Sequence, residues 1–383
     1  MLNNVIDFLA KVCSKLVEQF IYTFSILPRL GIRRKIFSCP KENKIVLIES
    51  FKVSLNPNEE LFLSFCKKDN PIYEEYYQQD IFYCNLKNVL FYGDSSGIYV
   101  KETKKVLLDS LMDYSSYIHT RISNPLTFVK KIKKKGIFTS IDHFPWTKNN
   151  HYHWLCECIP RLYILEKINE NFEQLNLIIS EELSDKQREM LFPFIYDKEF
   201  ITVSTIPRYE AWEIDHFIFL SFVTQPGSGY IPKQIIEFIQ NKFFAYYQIR
   251  KTTNHRKIYI SRKIARNRKI LNEDSIIPIL VKKGFEIVFL EKMSIKDQIQ
   301  LFFESEVIIG PHGAGFSNII FCQKNTKVLE LFSSDNVRSF FFFLSKSNEL
   351  NYDYLICEKS DKNENFNVDI YSFDKKLEKL GII

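Results

Sequence analysis

The sequence predicts an α/β protein of two domains, and three observations carry that prediction. The chain has 383 residues, more than one hydrophobic core of ordinary size organises. Its second half alternates between short β-branched runs and amphipathic helical stretches with brief connections, the pattern of a parallel sheet wrapped by helices. Between the halves, "TQPGSGYIP" (224–232) packs two prolines and two glycines into nine residues, as a linker does. The expected division is a segment 1–40, a domain 41–225, a Rossmann-like domain 226–358, and a tail with a helix, 359–383.

Composition narrows the function. Hydrophobic residues at 45% and charged residues at 26% fit an ordinary globular chain. Net charge is +6. Residues 1–41 hold seven basic and two acidic groups, so an excess of five sits there. The remainder is near neutral, which argues against a nucleic-acid-binding body. The eight cysteines are scattered without a C-x-x-C pair. That disfavours zinc ribbons and redox motifs and suits free thiols in a reducing cytoplasm. The isolated Cys156-x-Cys158 is not read as a metal site.

In the first segment, Val5, Leu9, Val12, Leu16 and Phe20 share one helical face. Asp7, Lys11, Lys15 and Glu18 interrupt it, and a spanning helix needs about 20 mostly apolar residues. No small-residue cleavage pattern marks a signal peptide. Two readings stay open: a helix packed on the protein's own body, or an interfacial helix whose Arg33, Arg34 and Lys35 clamp anionic lipid. "KKIKKK" (130–135) reads as a solvated turn or helix face that would add to such a basic patch.

Next, "KIVLIES", "NVLFYG", "GIYV", "VLLD" and "GIFTSID" read as strands. A helix is expected over 153–168, then "LNLIIS", a helix over 185–194, "FITVST" and "EIDHFIFLSF". Beyond the linker come helix 233–247, "RKIYISR", helix 273–283, "FEIVFL", helix 294–305, "EVIIG", helix 314–322, "KVLELF", helix 337–348 and "YDYLIC". Residues 359–369 are polar and read as a surface loop before a last amphipathic helix, 371–380.

The chemistry concentrates in two places. "SEVIIGPHGAGFSNIIF" (305–321) spends three of the chain's 11 glycines around His312. The turn Gly310-Pro311-His312-Gly313-Ala314-Gly315 lies where a strand ends and a helix begins. Free backbone N–H groups and partial positive charge at such a helix start bind phosphate, and glycine admits its close approach. The order is G-x-x-G-x-G, neither the dinucleotide fingerprint nor a Walker loop. A plain β–α turn with a histidine cap is the alternative. Glu330, at the end of the next strand, could accept ribose hydroxyls. Arg262 ends "IYISR" and suits bidentate phosphate contact, with Lys263, Arg266, Arg268 and Asn272 close behind.

The other place is "NNHYHWLCECIPRLYIL" (149–165). On a helix His153 and Glu157 stand at i and i+4, with Arg161 continuing the face. Glu157 is a candidate to remove a proton from a hydroxyl nucleophile, with His153 assisting or orienting it. The alternative is a surface His–Glu–Arg network. A zinc reading lacks the third ligand and the H-E-x-x-H order, so no metal site is expected.

The blocks "HYHWLCECIPRL", "YISR…R…LNE" and "QIQLFFESEVIIGPHGAGFSNIIF…KVLEL", in that order, resemble glycosyltransferase family 61, whose bacterial members include capsular polysaccharide biosynthesis proteins. The resemblance covers about 149–332. It implies a B-type glycosyltransferase fold of two Rossmann-like domains facing a cleft. It also implies inverting transfer, without an essential metal or cofactor, from a nucleotide sugar, with a UDP-sugar expected. The acceptor would be an oligosaccharide or lipid-linked glycan in capsule or O-antigen synthesis, at the inner face of the cytoplasmic membrane. The chain contains no D-x-D triplet. By the same resemblance Glu157 matches the base, although some relatives have Asp there. Arg262, Arg266, Asn272, Gly310–Gly315 (with His312 and Ala314) and Asn318 match the donor region. Glu330 matches a ribose-binding acid. The rival classes are a non-catalytic carbohydrate-binding or assembly protein and a nucleotide-dependent oxidoreductase. Oligomeric state is left open.

Overall fold

The computed structural model describes residues 34–66, 75–111, 120–123, 129–168, 172–225 and 228–382. The expected N-terminal helix lies outside these. The described part forms two units. The first comprises 34–50 and Gln79–Val223, the second Phe51–Gln78 and Thr224 onwards. Phe51–Gln78 thus leaves the domain 41–225 to which the sequence assigned it. Its helix Pro57–Phe65 explains why. Asn56 and Glu59 close a capping box at its start. Phe62 then buries itself against Phe332, Phe342, Tyr352 and Tyr354 of the second unit's own core.

The first unit is a nine-stranded mixed sheet rather than a Rossmann-like one. Its long strands Ile81–Tyr92 and Glu210–Leu220 pair antiparallel. Beyond them Lys130–Ser140, Leu175–Ser180 and Ile201–Ile206 run parallel. Only this parallel half has the α/β character expected of the whole. "KKIKKK" is the start of the strand Lys130–Ser140, not a turn or helix. Its cations are engaged across the sheet: Lys130 with Glu210 at 3.4 Å, and Lys134 over the Trp212 ring at 4.2 Å. Arg34, expected in a lipid clamp, donates to the Tyr92 hydroxyl at 2.6 Å and to the Ile122 carbonyl at 3.1 Å. No described helix is long and apolar enough to cross a membrane.

The second unit holds five parallel strands: β1 (Arg256–Ile260), β2 (Phe285–Val288), β3 (Ser305–Pro311), β4 (Lys327–Ser333) and β5 (Asn351–Cys357). Their spatial order is β2-β1-β3-β4-β5. Helices α1 (Lys233–Tyr247), α2 (Glu273–Lys282), α3 (Ile295–Glu304), α4 (Phe340–Ser347) and α5 (Ile370–Lys379) connect and flank them. Ile276 and Leu280 of α2 and Phe373 and Leu377 of α5 cover one sheet face, packed with Tyr259, Ile309, Leu329 and Leu331. Phe342 and Phe343 of α4 pack with Phe332 on another cluster. The segment 359–382 is therefore part of this core and not a tail.

The strand order places the site. From β1 the chain crosses to β2 on one side, then returns to build β3, β4 and β5 on the other. The crevice between the carboxyl ends of β1 and β3 is the topological switch point, where ligands bind in such sheets. Arg262 follows β1, and His312 follows β3.

Candidate active site

At the switch point the glycines serve close packing. None of Gly310, Gly313 and Gly315 has the left-handed backbone that would demand glycine. A Cβ on Gly313 would lie 2.1 Å from Nη1 of Arg262, so the guanidinium rests on that residue's backbone. A Cβ on Gly315 would meet Leu290 at 2.8 Å, and one on Gly310 the Ile260 carbonyl at 3.0 Å. The expected α-helix 314–322 is a 3-10 helix, Ala314–Phe321. Its first bond runs from Phe316 N–H to the Gly313 carbonyl at 2.9 Å. The N–H groups of Ala314 and Gly315 precede the ladder and have no partner within the helix.

Arg262 is oriented by its own loop, donating to the Asn267 carbonyl through Nε (3.3 Å) and Nη2 (3.1 Å). Burial, with the charge of Arg268 beside it, pulls its pKa down to about 10. Arg268 is likewise lowered by burial and sits at φ 58, a conformation unusual for a residue with a side chain. Burial and the charges of Arg268, Arg338 and Arg262 push His312 well below the ordinary histidine value. Three guanidiniums thus act on one histidine, with Glu364 3.5 Å from Arg268 as a partial counter-charge. Such a site favours an anion.

Glu330 does not fit the role of ribose acid. It is fully buried. One oxygen shares a proton with His312 Nδ1 at 2.5 Å, and the other accepts from the Tyr352 hydroxyl at 2.7 Å. Burial raises its pKa well above the usual carboxylate range. The His312–Glu330 pair is therefore net neutral, and Glu330 fixes the ring of His312, which also stacks on Phe332. Asn272 is occupied too: it donates to the Val368 carbonyl at 2.8 Å and accepts from Val368 N–H at 2.9 Å. Asn318 is buried and donates to Gln298 at 2.9 Å. Both asparagines make hydrogen bonds within the protein. Arg266 is exposed and Lys263 pairs with Asp274 at 2.7 Å. Arg338, which the sequence reading missed, lies in the loop after β4.

The first unit builds a second cluster. The expected helix 153–168 is a π-helical turn His153–Cys158, a 3-10 turn Ile159–Arg161 and an α-helix Leu162–Lys167. Pro160 explains the break. It has no N–H for the Cys156 carbonyl, and its ring crowds that carbonyl, so the ladder widens and Ile159 N–H reaches back to Trp154. His153 and Glu157 still meet, Nδ1 donating to Oε2 at 2.6 Å. Arg161 does not join them. It turns into the core and donates to the carbonyls of Asp142 (3.3 Å) and Leu220.

In its place the structure supplies His143, whose Nδ1 lies 3.5 Å from the same carboxylate oxygen. Asp142 sets this loop. It accepts from the N–H groups of His143 and Ser180 and from the Thr147 hydroxyl, each at 2.7 Å. Glu157 is buried at 2% exposure. Burial pushes its pKa up, but the two imidazoles outweigh this and leave it below the usual value. Burial in turn lowers His143. The result is an ionised carboxylate held between two histidines, able to accept a proton.

Residues 151–329, a stretch that holds His153, Glu157, Arg262, Arg268 and His312 but not His143, Glu330 or Arg338, match the family model Glycosyltransferase 61. The chain carries a glycosyltransferase 61 domain. A 75-residue stretch is 37% identical to a beta-1,2-xylosyltransferase of Arabidopsis thaliana. It covers 19% of this chain and 14% of that protein. A 60-residue stretch is 38% identical to a beta-1,2-xylosyltransferase of Oryza sativa subsp. japonica, covering 16% and 11% of the two chains. The aligned stretches are thus a small part of either curated relative. The matched residues include Glu157 and His153 of the first unit and Arg262, His312 and Gly313 of the second.

Proposed function

We propose that the protein is an inverting glycosyltransferase that moves a sugar, a pentose by analogy with the xylosyltransferase relatives, from a nucleoside-diphosphate donor to a glycan hydroxyl. The observation that carries this is the switch point: Arg262 lies against the Gly313 backbone, Arg268 and Arg338 add charge near His312, and the free N–H groups of Ala314 and Gly315 follow. Such a set suits a diphosphate, whose departure needs charge stabilisation in place before the reaction. The residues supply that stabilisation themselves, in keeping with a transfer that needs no metal for the donor.

Glu157 accepts the proton of the acceptor hydroxyl as oxygen attacks the anomeric carbon and the bond to the diphosphate breaks. His153 orients the carboxylate through the 2.6 Å bond. A UDP-sugar donor, a capsule or O-antigen acceptor and a cytoplasmic, membrane-adjacent setting rest on the sequence resemblance alone. The test is Glu157→Gln with radiolabelled donor sugars. Loss of a positioned base lowers turnover by roughly 10²–10⁴-fold while nucleoside-diphosphate binding stays. Turnover equal to the parent would remove Glu157 from this role.

A further inference from the structure

We propose that His143, His153 and Glu157 form a binding site for a zinc-class divalent ion, and that filling it stops Glu157 from accepting a proton. The three side chains offer ligand atoms that all lie within 4.8 Å of one another. Both imidazoles turn Nδ1 to the same carboxylate oxygen, at 2.6 and 3.5 Å. Metal–ligand bonds of about 2.0–2.1 Å in a tetrahedron space the ligand atoms about 3.3 Å apart. The His143–Glu157 separation already matches, and His153 need withdraw by less than about 1 Å.

Two features set this cluster apart from an ordinary ion pair. His143 is 4% exposed, and its Nδ1 has no hydrogen-bond partner, since 3.5 Å is too long for a good one. A buried polar atom left in this way is costly, and a metal would use its lone pair. The backbone that carries the ligand is also fixed: Asp142 accepts from the main-chain N–H of His143 and is itself anchored by the Ser180 N–H and the Thr147 hydroxyl. His153 remains 22% exposed on its side chain, leaving a route in from solvent. Two nitrogens and one carboxylate favour zinc and its neighbours over magnesium, which takes oxygen ligands.

Binding needs His153 to present Nδ1 as a lone pair, with the ring proton on Nε2 instead. The metal then takes the Oε2 lone pair, and the acceptor hydroxyl has no base there. Metal binding stands independently of the proposed reaction; the inhibition rests on Glu157 being its base.

The experiment uses the full chain freed of metal, titrated with Zn²⁺ against a chromophoric chelator and with Co²⁺ for its visible d–d band. One equivalent should bind, and Mg²⁺ should not compete. His143→Ala and the more exposed His153→Ala should each weaken binding by at least about tenfold. In the transfer assay Zn²⁺ should suppress turnover and EDTA restore it. The site is overturned if the parent binds no stoichiometric zinc, or if both variants bind it equally well. The switch is overturned if zinc binds through these ligands and transfer continues. Transfer without zinc binding would sink the site and leave the glycosyltransferase reading intact. Ligand-dependent zinc binding without transfer from any donor would do the reverse.

Discussion

Replacing Gly313 by alanine isolates the contact at the centre of the proposed donor site. The backbone there is extended, φ 175 and ψ 163, which any residue adopts. The substitution therefore brings no backbone strain. Its whole effect is steric: the new Cβ would stand 2.1 Å from Nη1 and 2.9 Å from Cζ of Arg262. To restore van der Waals distance the guanidinium must move by more than about 1 Å. It cannot do so while keeping both bonds to the Asn267 carbonyl. The fold should survive, because the clash is with a side-chain end and not with backbone. Donor binding should not. One charge-assisted hydrogen bond is worth about 1.5–3 kcal/mol, or about 10–100-fold in Kd. Calorimetric titration with UDP, GDP and the other nucleoside diphosphates, beside a thermal melt, measures both. Arg262→Ala should show a similar loss, and the double variant should lose little beyond either alone, since both changes remove one interaction. Full-strength nucleotide binding by Gly313→Ala would refute the argument, as would loss equal to the sum of the two single changes.

Arg338→Ala should weaken diphosphate binding, and the salt dependence of binding should fall with it, because the residue acts through charge near His312. The His312–Glu330 pair predicts a pH signature. In the folded state Glu330 is raised above 4.5 and His312 lowered below 6.5, so the pair holds one proton over a wide range. An unfolded chain also carries one excess proton between about 4.5 and 6.5, and the pair adds no slope there. Above that window the unfolded histidine releases its proton while the folded pair keeps one, so the pair's stabilisation declines as pH rises. Glu330→Gln removes the raised acid and leaves only the depressed histidine, whose contribution is present above about 6.5 and lost as pH falls. The Tm difference between parent and variant should therefore shrink from pH 6 to pH 8. A constant difference would mean that the pair does not share a proton as described.

The alternation of strand and helix in the second half was legible because each strand is short, buried and followed at once by a capped or amphipathic helix. The first unit was less so. A run of lysines hides the start of a strand when its partners, Glu210 and Trp212, lie some 80 residues away in the chain. The helix at His153 carries its own warning in Pro160, which lies inside the helix expected over 153–168. The site residues divide in the same manner. Glu157, His153, Arg262 and His312 were singled out by local pattern. Asn272, Asn318 and Glu330 bond within the protein instead, and a polar residue in a site-like motif looks the same whether it faces a ligand or buries its hydrogen bonds. Glu330 shows the difference most clearly: its two oxygens are taken up by His312 and by Tyr352, a residue 22 positions further on, which no motif connects to it. The two omissions have one cause. His143 closes "GIFTSIDH" and Arg338 closes "KVLELFSSDNVR", each beyond the carboxyl end of a parallel strand. The rule applied to Arg262 and Glu330, applied to every such strand, reaches both. It also supplies the third ligand whose absence from the sequence pattern had set the metal reading aside.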